Sequence, residues 1–67
     1  MGISEFCLKA QTELKISPTF QTENLEDIWK CRLFIGNLEF IGIGRLEKDS
    51  KMSCIGKAKK YLKWITN

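Results

Sequence analysis

Near the start of the chain the apolar residues fall at Ile3, Phe6, Cys7, Ala10 and Leu14. Spacings of three and four place them on one face of a helix, with Ser4, Glu5, Lys9, Gln11 and Glu13 filling the polar side. Ser4 and Glu5 suit a first turn, where oxygen acceptors and negative charge meet exposed N–H groups. The helix is predicted to end before Ser17-Pro18, because a proline pushes its predecessor out of the α region.

The pattern then changes to period two. Thr19 to Thr22 reads as a short edge strand, with Pro18 tolerated at its start. Glu23 to Asp27 is polar and acidic and reads as a loop. Trp29, Cys31, Leu33 and Ile35 alternate with Lys30, Arg32 and Phe34, the mark of a half-buried strand. Gly36-Asn37 is a hairpin signal, since both residues tolerate positive φ. Leu38 to Arg45 returns as a third strand, in which Gly42 and Gly44 mark a bulge or a close backbone approach.

A second helix follows, with Asp49 or Ser50 as its expected cap. Met52, Ile55, Ala58, Leu62 and Ile65 form its apolar stripe, and Lys57, Lys60 and Lys63 share the opposite side. Gly56 weakens this helix by roughly 1 kcal/mol relative to alanine. The pattern predicts a single α+β domain over residues 1–67, in the order α-β-β-β-α. Its sheet would be three-stranded and antiparallel, with both helices packed on one face to bury their stripes.

Composition limits the function classes. At 67 residues and 43% hydrophobic content the chain has enough apolar surface for one small core, with a thin stability margin. No apolar run could span a bilayer, and no basic region with an apolar stretch opens the chain as a secretory signal would. Cys7, Cys31 and Cys54 are odd in number and far apart, against a disulfide framework or a C-x-x-C knuckle. They read as small buried hydrophobes of an intracellular protein, nuclear or cytoplasmic. There is no histidine and no G-x-x-x-x-G-K loop, so histidine-dependent triads, histidine-ligated zinc and a phosphate loop are excluded. Neither an enzyme nor a cofactor is expected. Residues 45–63 hold seven basic and two acidic side chains, against four basic and six acidic elsewhere. A basic helix on a slightly acidic body is a phosphate footprint or a solvated face.

Nearly the whole chain resembles the double-stranded RNA-binding domain family. Ile3-Ser4-Glu5-Phe6-Cys7 is similar to the opening run of its first helix, and Pro18-Thr19-Phe20 to the Pro-x-aromatic start of its first strand. The alternation from Trp29, the turn at Gly36-Asn37 and Gly42-Ile43-Gly44 follow in the family's order. The resemblance implies shape recognition of A-form duplex RNA, across two minor grooves and the intervening phosphates. Ser4 and Glu5 would reach a minor groove, although Leu8 stands where the family carries glutamine. The loop between the first two strands departs from the family's Gly-Pro and histidine pattern, and its carboxylates would repel phosphate.

A family Lys-Lys-x-x-Lys cluster on the second helix would grip phosphates. With that helix directly after Gly44, Lys48 and Lys51 match its last two lysines and Glu47 replaces the first. With one extra turn of loop, Ser50-Lys51 matches instead, a register slightly favoured by Cys54, Ala58 and Leu62. Two readings follow. One is a duplex-RNA-binding module using Ser4, Glu5, Lys48, Lys51 and Lys57. The other is a protein-interaction or dimerisation module that keeps the fold without RNA, for which Phe34, Trp64 and the acidic loop are the places to look; Trp64 and Ile65 either anchor the second helix or mediate self-association. No membrane partner is expected.

Overall fold

The computed structural model describes residues 2–64. Helix α1 (Ile3–Glu13) is followed by strands β1 (Thr19–Leu25), β2 (Ile28–Ile35) and β3 (Leu38–Gly44), then helix α2 (Glu47–Leu62). The strands form one antiparallel sheet in the order β1-β2-β3. This is the α-β-β-β-α order that the periodicities predict, with the helices packed against the sheet.

Register assigns the two faces. Phe20, Leu33 and Phe40 form one cross-strand row, and Thr22, Cys31 and Gly42 the next on the same face. This face meets the helices. The core joins Phe6 of α1, Cys31, Leu33 and Ile35 of β2, and Cys54, Ile55 and Ala58 of α2, all buried. Each large side chain there contributes about 1.5–3 kcal/mol by leaving water. The opposite face carries rows Gln21–Arg32–Ile41 and Glu23–Lys30–Ile43 and has neither of the described helices on it.

Gly42 and Gly44 provide a close approach rather than a bulge. A Cβ on Gly42 would stand 2.6 Å from both the Cys54 amide nitrogen and the Ser50 carbonyl oxygen. Helix α2 therefore crosses β3 backbone against backbone. Cys54 uses this contact: its Sγ donates to the Cys31 carbonyl at 3.0 Å and to the Phe40 carbonyl at 3.5 Å. Burial pushes the Cys54 thiol up to about 12 and also raises Cys31, so both remain protonated, apolar-compatible groups.

Two local expectations are corrected. The polar stretch 23–27 is not a loop. Pairing continues through Glu23 opposite Lys30 and Leu25 opposite Ile28, so β1 runs on and only Glu26-Asp27 turns. Glu26 adopts φ 68° to make that turn, whereas at Gly36-Asn37 only Gly36 takes a positive φ. Second, α2 begins at Glu47, without a side-chain cap, and the Ser50 amide donates to the Leu46 carbonyl at 3.1 Å. Asp49 thus falls within the first turn, where its charge still favours the helix N-terminus. Ser50 is buried, its hydroxyl donating to the Glu47 carbonyl at 2.6 Å.

The far end of α2 closes on α1. Trp64 meets Phe6 edge-on at 5.6 Å between ring centres, and Lys9 Nζ lies 5.0 Å over the Trp64 ring. Trp64 is therefore an anchor between the helices. Ile65, expected on the α2 stripe, lies outside the described residues.

Candidate nucleic-acid interface

Burial of Phe6 and Ala10 fixes the rotation of α1, and that rotation leaves Ser4, Glu5 and Leu8 exposed. On α2, burial of Ser50, Cys54, Ile55 and Ala58 leaves Lys48 exposed on the first turn. The two helix N-termini meet at a groove of about 530 Å³, lined by Gly2, Ile3, Ser4, Glu5, Lys48 and Met52. Half-buried Ile3 and Met52 supply its apolar part. Three of the residues that the sequence suggests for RNA contact therefore share one groove.

Lys51 stands three positions after Lys48, on the neighbouring turn. Its Nζ lies 5.8 Å from the Phe20 ring centre, so the ammonium leans over β1 while remaining half-exposed. Glu47, where the family motif would have a lysine, is drawn away from the groove. Its carboxylate accepts a 2.6 Å hydrogen bond from the Thr22 hydroxyl, tying the first turn of α2 to β1. The helix start directly after Gly44-Arg45-Leu46 corresponds to the shorter of the two connections considered above.

Lys57 does not join this group. It lies six positions beyond Lys51, on a different face of the helix. Its Nζ donates to the Ile41 carbonyl of β3 at 2.6 Å. Sequence periodicity marks Lys57 as polar and exposed but carries no signal for a backbone partner on another element. The groove's apolar residues were equally hidden, because Ile3 and Met52 read simply as core positions.

Three further basic side chains, two on the sheet and one on α1, have acidic neighbours. Arg32 approaches Glu39 at 4.0 Å, Lys30 sits opposite Glu23, and Lys9 pairs with Glu13 at 3.1 Å. Phe34 lies half-buried on the open face of the sheet, between Thr19 and Glu39. No described helix is long and apolar enough to cross a membrane. No family model, curated protein or solved structure matches this chain.

Proposed function

We propose that this domain is a non-catalytic duplex-RNA-binding module whose contact surface centres on the groove between α1 and α2. The observation that carries the reading is the shared groove of Ser4, Glu5 and Lys48, with Lys51 one turn away. A hydroxyl and a carboxylate can hydrogen-bond ribose 2′-hydroxyls, while a neighbouring ammonium binds phosphate. The other basic side chains of α2 extend the cationic surface. The two-residue β1–β2 turn offers little reach and carries carboxylates at Glu26 and Asp27. Binding is therefore weak, salt-dependent and indifferent to sequence.

The test is a titration with an A-form RNA duplex of about 16 base pairs, the span such domains cover, followed by amide chemical shifts at low and moderate salt. Shifts clustering at Ser4, Glu5, Lys48 and Lys51, and shrinking as salt rises, are expected. A spectrum that does not move at low salt would remove RNA from consideration and leave protein interaction.

A further inference from the structure

The edge of β3 points to a second copy of this chain. We infer that two molecules pair through their β3 strands, antiparallel and centred on Gly42, to make one continuous six-stranded sheet. This goes beyond the RNA reading and does not depend on it.

Six large hydrophobic residues are exposed among the described ones, and four of them lie on or against β3 or just after it. Ile41 is 39% exposed, Ile43 56%, and Leu46 62%. Tyr61, 62% exposed, packs edge-on against Phe40 at 5.8 Å. The other edge strand differs: β1 presents Thr19, Gln21 and Glu23, and its one exposed large hydrophobic residue is Leu25 at the turn end. An apolar, unpaired edge is a template for another strand.

The backbone then selects a register. Lys57 reaches the Ile41 carbonyl, so that carbonyl faces away from β2. Along an antiparallel strand the outward-facing groups recur at alternate residues. Those of Glu39, Ile41 and Ile43 therefore face the open edge. Pairing two copies about Gly42 sets Ile41 opposite Ile43 twice by symmetry, and brings Glu39 of each copy toward Arg45 of the other, in the bend between β3 and α2. Gly42 meets Gly42 at a closely spaced position, where neither has a side chain to obstruct. Shifting the register by two residues toward Ile41 would put Glu39 against Ile43 and leave Arg45 without its acid. Self-complementarity of this kind is what a two-fold interface requires.

Lys57 is the latch on this edge. In the pair, the Ile41 carbonyl accepts from the partner copy's Ile43 amide. The Lys57 ammonium holds that same oxygen at 2.6 Å in the single chain. A lysine over an edge is a known device against strand addition. A single strand pair also buries less than the roughly 1,200 Å² of stable complexes. The wild-type dimer is consequently weak, and releasing the latch tightens it.

Sedimentation equilibrium of the full chain without RNA, carried into the millimolar range, tests the inference. A monomer–dimer equilibrium is expected, tightened by Lys57→Ala and abolished by Ile43→Lys with an unchanged folded spectrum. Glu39→Arg brings like charges together at the ends of the paired strands and should weaken association about fivefold, and adding Arg45→Glu should restore it. Monomers at every concentration for both the wild type and Lys57→Ala would overturn the proposal. So would a dimer that survives Ile43→Lys, or a charge exchange that fails to recover. Because no RNA is present, failure here leaves the RNA reading standing, and a silent RNA titration leaves this one standing.

Discussion

Helix α2 carries its lysines into two different surroundings. At its start, Lys48 lines an open groove and Lys51 rests over an aromatic ring. Further along, Lys57 is committed to a backbone oxygen of β3. All three have the same side chain and the same sequence signature, a polar position on an amphipathic helix. What lies beneath each one decides its use. The helix start overhangs side chains of α1 and β1, whereas the middle crosses a strand edge whose carbonyl has no strand partner. A lysine count therefore overstates the surface proposed for RNA, and the ammonium groups near the groove are the ones that proposal rests on.

The contrast breaks most completely if α2 is lifted from the sheet, since both regions hang on that contact. Gly42→Ala does this. Its methyl group would meet the α2 backbone at 2.6 Å, and backbone cannot rotate aside as a flexible side chain can. A loss of about 3 kcal/mol is expected, at the upper end of overpacking effects. A domain of 67 residues has a total stability of only about 3–10 kcal/mol, so much of the variant should be unfolded at 37 °C. Thermal unfolding by circular dichroism measures this, and an unchanged midpoint would refute the close crossing.

The same crossing contains Cys54, which gives it a pH dependence. The thiol titrates near 9.0 when unperturbed and near 12 in the fold, because burial penalises the thiolate. Below pH 9 both folded and unfolded states keep the proton, and the full stabilisation is present. As pH rises from about 9 to about 12, the unfolded chain releases a proton that the folded chain retains, so stability falls. Cys31, raised in the same direction, adds to the slope. Urea unfolding at about pH 8 and about pH 11 should show a smaller alkaline loss for Cys54→Ala than for the wild type. Identical losses would mean that this thiol is not held protonated.

The lysines themselves sharpen the comparison. In the duplex titration, Lys48→Ala with Lys51→Ala should weaken affinity about tenfold at low salt and flatten the salt dependence, because two phosphate contacts disappear. Lys57→Ala should leave duplex affinity within about twofold, since its ammonium already serves β3. Equal losses from the two variants would mean that duplex binding draws on diffuse charge and not on the groove.

The sequence made the fold legible where one periodicity ruled. The β2 alternation, the α1 stripe and the paired glycines of β3 all led to the right elements, because burial on one face leaves a pattern in the chain itself. The end of β1 was misread because Glu23 and Asn24 look like loop residues in isolation. Their place in a strand comes from Lys30 and Trp29 across the ladder, which no local window contains. The start of α2 was misplaced for a related reason. Asp49 and Ser50 are good caps by residue type, but Gly44 lets the helix begin earlier by admitting its backbone against the sheet. At the site, Ser4, Glu5 and Lys48 were legible as residues and not as neighbours. Their grouping depends on how α1 and α2 meet, and the separate place of Lys57 was not legible because its partner is a main-chain oxygen, which has no letter in the sequence.

The smallest expected effect isolates α2 from both regions. Gly56 sits inside the helix beside Lys57, and a Cβ placed there meets nothing within 4 Å. The position thus carries glycine's conformational cost without the close approach that requires glycine at Gly42. Gly56→Ala should stabilise the domain by about 0.5–1 kcal/mol, mainly by restricting the unfolded chain. For a domain of this size that raises the midpoint by several degrees, at roughly 4–8 °C per kcal/mol. Because the methyl group touches neither the groove nor the β3 edge, duplex affinity and self-association should be unchanged while stability rises. If the two regions communicate only through α2 as a rigid strut, this separation holds. A variant that gained stability and also shifted either equilibrium would show that bending of α2 at Gly56 links the groove to the latch.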